Sequence, residues 1–467
     1  MINYFNFKPF KDKFLITNDM GKYQFVSSET LHSMVKDLPI EDDVLSKLKK
    51  NFFVYDEHEA ILCERAKYYV RDSKKHLFCS TSLHIFVLAN TCNMSCVYCQ
   101  AKDDTNIIHH AMDFATAEKC VDVALQSPSR FLSFEFQGGE PLVNFETLKH
   151  IVLYTEENKG SKCVSFNVVS NLTLLTEEML EFLYEHKVGI STSLDGDKEL
   201  HNKNRSFTSG CGTYSIVVDK IKQIKERGLS IGAIQTTTRY SLDKHKEIID
   251  EYVKCGQTSI FIRPLTRLGT AARVWNEIGY TPEEFLDFYK KSLVYILELN
   301  KHGINICENH AVIFLKKILS GVSENYMELR SPCGAAVGQV AYFYDGNVFT
   351  CDEGRMLYEM GDDAFKLGNV FENNYDDLMQ SPVCKSMCVS SCLESQLNCC
   401  DCVYQPYCGT CPVINLAQEK DLFFKNQNSF RCKIYGGMLD TIFEILYENE
   451  KENIDIFNKW IGVYENE

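Results

Sequence analysis

Strand-like and helix-like segments alternate between about residues 82 and 325, and this alternation limits the fold of the 467-residue chain more than any other feature. Short runs rich in β-branched and aromatic residues are separated by longer stretches with helical spacing of apolar residues. Such alternation is typical of a parallel α/β sheet. The predicted strands are 84–89, 131–136, 164–169, 189–194, 231–236 and 259–263. Six units predict an incomplete (β/α)6 barrel with its chemistry at the C-terminal strand ends.

Three cysteines follow the first predicted strand, in the run Asn90-Thr-Cys-Asn-Met-Ser-Cys-Val-Tyr-Cys-Gln100. Thiols spaced C-x3-C-x2-C, at Cys92, Cys96 and Cys99, can bind three corners of one 4Fe–4S cluster. A ferredoxin-type carrier supplies four thiolates, and no fourth cysteine follows here at cluster spacing. One iron would therefore remain available to another ligand. The alternatives are a zinc knuckle or three ordinary cysteines, but zinc sites usually have paired C-x2–4-C units and four ligands.

The chain contains 21 cysteines, eleven of them between Cys333 and Cys432. We expect a cytoplasmic protein, because no run of 18 apolar residues and no signal-peptide pattern is present. Cytosolic thiols are not kept as structural disulfides, so metal binding is the expected use. The net charge of −15 argues against nucleic-acid binding, which usually needs a basic surface, and against an acidic membrane as partner.

The cysteine triad and its setting resemble the radical S-adenosylmethionine (radical SAM) enzymes, in which SAM binds the open iron through its amino and carboxylate groups. The family usually places an aromatic residue where Tyr98 stands. The run Gln137-Gly-Gly-Glu-Pro141 ends the second predicted strand and is similar to the family's GGE element, which holds the SAM amino group. The resemblance implies SAM contacts from Gly138, Gly139, Glu140, Ser170, Asn171, Ser193, Asp195, Arg205 and Arg263.

The later cysteines resemble the SPASM domain, a radical SAM extension with two auxiliary 4Fe–4S clusters. The resemblance implies one cluster on Cys399, Cys402, Cys408 and Cys432, and another on Cys333, Cys351 and Cys411. The fourth ligand of the second set is either absent or one of Cys384, Cys388, Cys392 and Cys400. Cys408 and Cys411 are one residue closer than the family pattern. A zinc-ribbon pair is the alternative. Asp352, after Cys351, is the candidate catalytic base, with a turn-forming aspartate as its alternative.

The first block predicts two strands, 13–18 and 22–27, followed by helices. It resembles the winged-helix module with which modifying enzymes bind the leader of a precursor peptide; the alternative is an N-terminal cap. The predicted domains are the winged-helix-like module at 1–80, the radical SAM core at 81–325, the SPASM domain at 326–440 and a helical tail at 441–467.

The resemblance therefore implies a radical SAM/SPASM peptide maturase, most similar to the His-Xaa-Ser system maturases. Such an enzyme cleaves SAM to a 5′-deoxyadenosyl radical and crosslinks or oxidises residues of a ribosomally made precursor peptide. Its expected partners are that peptide and an electron donor such as flavodoxin or ferredoxin. The alternatives are an anaerobic sulfatase-maturing, formylglycine-generating enzyme and a non-catalytic zinc or iron–sulfur binding protein.

Overall fold

The computed structural model describes residues 1–55, 60–101, 109–321, 326–424, 427 and 429–462. The last five residues of the predicted tail thus lie outside the described residues. The N-terminal block contains three antiparallel strands rather than the two predicted, because Asn6–Phe10 pairs with Lys13–Thr17. Its elements are β1 (Asn6–Phe10), β2 (Lys13–Thr17), β3 (Tyr23–Val26), α1 (Ser28–Lys36), α2 (Asp42–Lys50) and α3 (Ala60–Ser73). Ser27 caps α1 by accepting from the amide of Thr30.

A ten-stranded sheet forms the centre of the molecule, and all six predicted strands lie in it side by side in parallel. They are β4 (Leu83–Val87), β5 (Phe131–Gln137), β6 (Cys163–Val169), β7 (Gly189–Ser193), β8 (Ile231–Thr236) and β9 (Ser259–Arg263). The helices between them are α4 (Phe114–Leu125), α5 (Phe145–Asn158), α6 (Glu177–Glu185), α7 (Lys198–Asn204), α8 (Tyr214–Glu226) and α9 (His245–Lys254). The parallel α/β architecture and its six predicted strands are confirmed, and two further strands, Cys307–Glu308 and Gln339–Tyr342, extend the parallel array at its ends.

The cysteine-rich region continues the same sheet. A strand at Gln339–Tyr342 pairs in parallel with β4, with Gln339 opposite Leu83. This strand is β11 (Gln339–Tyr342). The elements between β9 and β11 are α10 (Gly269–Arg273), α11 (Trp275–Ile278), α12 (Pro282–Lys301), β10 (Cys307–Glu308) and α13 (Asn309–Leu315). The elements that follow β11 as far as residue 391 are β12 (Asn347–Phe349), α14 (Asp352–Glu359), β13 (Lys366–Asn369), α15 (Tyr375–Gln380) and α16 (Pro382–Ser391). The strand order is β10-β9-β8-β7-β6-β5-β4-β11-β12-β13.

The last described helices are α17 (Pro412–Glu419), α18 (Phe430–Glu448) and α19 (Lys451–Trp460). Helices α18 and α19 pack on α12, whereas α17 packs on α14 and α16. The predicted boundary at 440/441 falls inside α18, so the tail begins within a continuous helix rather than at a linker. Short 3-10 turns occur at Lys75–Phe78, Pro141–Asn144, Arg239–Ser241, Met327–Leu329 and Leu393–Ser395, and a π-helical turn at Lys316–Ser320. Among the described helices, none is long and apolar enough to cross a bilayer.

Candidate radical site and cysteine-rich region

The three cysteines after β4 surround one side of a cavity of about 230 Å³ at the C-terminal ends of the central strands. We call it the SAM cavity. Backbone hydrogen bonds hold the loop in place: Ser95 donates to Ser206 (2.8 Å) and Val97 donates to Asn204 (2.9 Å). Gly269, the first residue of α10, packs against the end of the loop, where an added Cβ would lie 2.6 Å from the Cys99 carbonyl oxygen. The loop is thus positioned by tertiary contacts as well as by its own sequence.

Eight of the nine predicted SAM contacts line the same cavity as the cysteines. They are Gly138, Gly139, Glu140, Ser170, Asn171, Ser193, Arg205 and Arg263. This convergence follows from the topology, because parallel strands end at the same edge of a sheet. Sequence reasoning missed Thr236 and Met356, which also line it. Thr236 is the last residue of β8, so the same strand-end rule would have found it, whereas Met356 comes from α14 and gave no such signal.

Glycine is required beside Glu140 because the chain there lies against the loop that precedes the cysteines. A Cβ on Gly139 would lie 2.4 Å from the Thr91 carbonyl oxygen. The Glu140 carboxylate is buried and accepts hydrogen bonds from the Ser170 hydroxyl (2.7 Å) and the Asn171 amide (2.8 Å). Burial raises the pKa of Glu140, although these hydrogen bonds oppose the rise. The carboxylate is thereby fixed at the cavity wall.

Asp195 is the ninth predicted contact, and it does not line the SAM cavity. Its carboxylate accepts from the Tyr98 hydroxyl (2.8 Å) and from the Asn204 side-chain amide (3.2 Å). Arg205 in turn donates to the Tyr98 oxygen (2.7 Å). The structure therefore corrects the expectation of a direct cofactor contact, because Asp195 is enclosed beneath the cysteine loop and orients Tyr98.

The loop thiols are partly buried, which favours binding to a metal cluster over contact with solvent. Burial raises the pKa of Cys92 to about 11 and that of Cys99 to about 12, so binding of iron must displace their protons. Asn171 donates from its side chain to Cys92 Sγ at 3.7 Å. In the described part of the chain, no three His, Cys, Asp or Glu side chains converge closely enough for a single metal ion. A 4Fe–4S cluster instead binds each thiolate to a different iron.

The cysteine-rich region contains two separate groups of thiols. Cys333, Cys351 and Cys411 are buried together in one apolar cluster that also contains Met387 of α16. We call these three the inner cysteine set. Cys399, Cys402, Cys408 and Cys432 form the outer cysteine set. Burial is the main cause that raises the pKa of Cys432 to about 12, and the proximity of the other three thiols raises it further. The members of each set that the resemblance implies thus lie near one another, and their binding of clusters stays a prediction.

Two further predicted residues lie in the same region. Asp352 begins α14 next to Cys351, where its carboxylate accepts from Arg355 Nε (3.1 Å) and forms an ion pair with the same guanidinium. It does not line the SAM cavity. Cys384, a candidate fourth ligand, faces Cys388 one turn along α16, and their hydrogen bond lowers the pKa of Cys388 to about 7.

Comparisons with known proteins agree with this geometry. The Radical SAM superfamily model matches residues 86–249. A cysteine-type anaerobic sulfatase-maturating enzyme of Clostridium perfringens is 26% identical over 311 residues, which cover 64% of this chain and 80% of the relative. The radical SAM cyclopropyl synthase TigE of Paramaledivibacter caminithermalis is 21% identical over 361 residues, 72% of this chain and 69% of the relative.

Solved structures share the fold. One is native anSMEcpe with bound AdoMet and Kp18Cys peptide, with a TM-score of 0.68, 20% identity and coverage of 81% of this chain and 99% of that one. Another is Streptococcus suis SuiB bound to precursor peptide SuiA, with a TM-score of 0.55, 17% identity and coverage of 91% and 98%. Together with three thiols at a strand-end cavity, the family match identifies residues 86–249 as a radical SAM domain, whose cofactors are a 4Fe–4S cluster and SAM.

Proposed function

We propose that this protein is a maturase that uses radical SAM chemistry to crosslink or oxidise residues of a ribosomally made precursor peptide. The observation that carries the proposal is the arrangement of three groups of cysteines in one molecule: the loop triad at the SAM cavity and the inner and outer cysteine sets. A simple SAM-cleaving domain would need the first group alone, whereas a peptide oxidation must also remove an electron from the substrate. We place the enzyme in the cytoplasm, with a flavodoxin or ferredoxin as electron donor.

In this proposal Cys92, Cys96 and Cys99 hold three irons of the SAM-binding cluster. When bound, that cluster and SAM supply reductive cleavage of the sulfonium and a 5′-deoxyadenosyl radical. The fixed Glu140 carboxylate accepts from the SAM amino group. Arg205 and Arg263 present guanidinium groups to the same cavity, where they suit a carboxylate. Ser170, Asn171 and Ser193 add polar contacts at the ends of β6 and β7.

The inner and outer cysteine sets would hold two auxiliary clusters that accept the electron released by the substrate. Asp352 would take the accompanying proton, once substrate binding releases it from Arg355. Cys351 of the inner set caps the start of α14, and the same helix contributes Met356 to the lining of the SAM cavity. The substrate would therefore bind between the SAM cavity and the inner cysteine set.

We further propose that the N-terminal block binds the peptide's leader. A groove of about 1100 Å³ lies between β3, the helices α1 and α2, and α18, and all four residues of β3 line it. Among the described strands, β3 pairs with β2 alone, so its other edge can accept an extended peptide as an additional strand. Lys22 and Lys47 also line the groove and would attract acidic leader residues.

The leader proposal is tested with matched valines. Val44 lines the groove, whereas Val35 on α1 is exposed and lies outside it. We expect Val44→Glu to weaken binding of a fluorescent leader peptide and Val35→Glu to leave it unchanged, with SAM cleavage intact in both variants. Equal binding by both variants would remove the groove from the proposal.

The overall function is tested by anaerobic reconstitution followed by iron and sulfide counts. The loaded enzyme is then incubated with SAM, dithionite and candidate precursor peptides encoded near its gene, and each peptide is analysed by mass spectrometry. Loss of two hydrogens from the peptide, with formation of 5′-deoxyadenosine, is the expected result. Deoxyadenosine without any change of the peptide would contradict a maturase of that substrate.

The second candidate function is sulfatase maturation. It is favoured by the similarity to the sulfatase-maturating enzyme of C. perfringens over 64% of this chain. The two functions differ in product, because formylglycine formation oxidises one Ser or Cys and leaves no crosslink. A sulfatase-derived peptide assayed in parallel separates them: conversion of that peptide, and not of the neighbouring precursor, would establish the second function.

A further inference from the structure

A partly buried ion cluster joins the SAM cavity to the cysteine-rich region. Arg263, the last residue of β9, donates from Nη2 to Glu328 Oε1 at 2.9 Å. Arg431 donates to the other oxygen, Glu328 Oε2, at 3.3 Å, and to the Glu328 carbonyl oxygen at 3.2 Å. One carboxylate thus binds two guanidinium groups, each through a different oxygen.

The two arginines face different functional regions. Arg263 lines the SAM cavity. Arg431 directly precedes Cys432 of the outer set, and it donates to the same Glu328 carbonyl oxygen that a Cβ added at Gly409 would approach to 2.3 Å. The segment from Cys408 to Cys411, which contributes one thiol to each cysteine set, therefore packs against the residue that holds Arg431.

The chemistry of the cluster indicates a purpose beyond stability. A buried ion pair costs desolvation, and apolar residues often replace one without loss of stability. Arg431 also has an Nε atom that is buried and, among the described residues, without a hydrogen-bond partner. Burial opposes the charge of Glu328, but Arg263 and Arg431 hold its pKa well below the usual range. The carboxylate therefore remains an anion across the physiological pH range.

We infer that Glu328 is a positioning residue, which holds Arg263 at the SAM cavity and Arg431 beside the inner and outer cysteine sets. By holding Arg263, Glu328 fixes a cationic contact for SAM. By pairing with Arg431, it balances a positive charge close to the auxiliary clusters, and this second half of the inference rests on the proposed function. Glu328 itself need not touch either cofactor.

The test is Glu328→Gln, which keeps the shape and removes the charge. A charge-assisted hydrogen bond is stronger than a neutral one, so we expect the dissociation constant of SAM, measured by equilibrium dialysis on the reconstituted enzyme, to rise about tenfold, or about 1.4 kcal/mol. The auxiliary-cluster potentials, measured by EPR-monitored titration in a Cys92→Ala/Cys96→Ala/Cys99→Ala background, should become more positive. The reason is that an uncompensated Arg431 charge favours the reduced cluster.

Glu181→Gln is the matched control, because Glu181 on α6 also pairs with an arginine, Arg227, and neither residue lines the SAM cavity or adjoins a cysteine of either set. It should change neither quantity. A purely structural role for Glu328 would lower the melting temperature and leave the potentials unchanged, and that result would overturn the inference. Neither readout requires the peptide, so failure to modify a peptide does not affect the test.

Two single-contact variants keep the inference testable if Glu328→Gln does not retain iron. Arg263→Lys should weaken SAM binding and leave the auxiliary potentials unchanged, whereas Arg431→Gln, which removes the positive charge, should make the potentials more negative and leave SAM binding unchanged. Identical effects of the two variants, or no effect of either, would overturn the inference. An enzyme that binds no auxiliary clusters would remove the role assigned to Arg431.

Discussion

The hydroxyl of Tyr98, within the cysteine loop, donates a 2.8 Å hydrogen bond to the buried carboxylate of Asp195, just beyond the end of β7. This contact ties the loop to the fourth strand of the barrel across 97 residues of sequence. The contact with Asp195 thereby fixes the position of the cysteine loop. Arg205 donates to the same hydroxyl and is held at the cavity. The arrangement explains why Asp195 follows a strand end without lining the cavity.

Tyr98→Phe should therefore loosen the loop without removing a cluster ligand. The variant leaves a buried carboxylate with one donor fewer, which should cost about 1–3 kcal/mol of folding free energy. We expect a lower melting temperature and faster iron loss to a chelator, both measured against the wild type. Tyr240→Phe is the control, because that residue is only partly buried and packs beneath Lys203 outside the loop. An unchanged rate of iron loss would show that the Tyr98–Asp195 contact does not support the cluster.

Replacement of the loop cysteines should remove one cluster and leave the others. We expect Cys96→Ala to bind about four fewer iron ions per chain, the content of one cluster, and to form no 5′-deoxyadenosine. The measurements are iron and sulfide analysis and chromatography of the SAM products. Cys163→Ala, at an exposed cysteine, should match the wild type in both. Full iron content with Cys96→Ala would place the cluster elsewhere.

Asp352→Asn separates SAM cleavage from peptide modification. If Asp352 is the proton acceptor, peptide product should fall by about 100-fold or more, the usual range for a general base, whereas 5′-deoxyadenosine should still form. Both products are quantified in one reaction by mass spectrometry. Asp363→Asn, an exposed residue in the loop after α14, serves as the control. If Asp352→Asn forms as much peptide product as the wild type, the role of Asp352 is confined to its ion pair with Arg355.

Stability should decrease on acidification because histidines are buried in the neutral form. Burial lowers the pKa of His84, on β4, to about 3, while the unfolded chain has the ordinary value of about 6.5. Between these values the unfolded state binds the extra proton, so stability is complete above about pH 6.5 and decreases as the pH falls toward 3. At pH 5 the loss from His84 alone is about 2 kcal/mol.

The measurement is the melting temperature of the intact enzyme between pH 5 and 7.5. We expect it to fall with pH in the wild type and to fall less in His84→Asn, since an amide can replace the ring atom that contacts the Tyr342 hydroxyl at 3.0 Å. Two other buried histidines, His76 and His201, also have lowered pKa values and should sustain part of the slope. An identical slope in the variant would exclude His84 as a source.

The features that could be predicted from the sequence are those encoded by local spacing. The six central strands follow from runs of β-branched and aromatic residues, and their parallel order follows from the helices between them. Because parallel strands end at one edge, Cys92, Glu140 and Arg205 were expected to converge, and they line one cavity. Strand β1 of the N-terminal sheet was not predicted, because Asn6–Phe10 contains a proline and shows little alternation of apolar and polar residues.

The sequence by itself determined which residues can bind iron and SAM, since thiol spacing and strand-end position are properties of short segments. The tertiary structure alone decided what supports them. Pairing of β11 with β4 joins the cysteine-rich region to the barrel, with Gln339 opposite Leu83. Glu328 meets Arg431 across 103 residues, and burial beneath Tyr98 makes Asp195 a partner of the cysteine loop rather than part of the cavity wall. Such contacts depend on packing and burial between distant segments, and no local spacing encodes them.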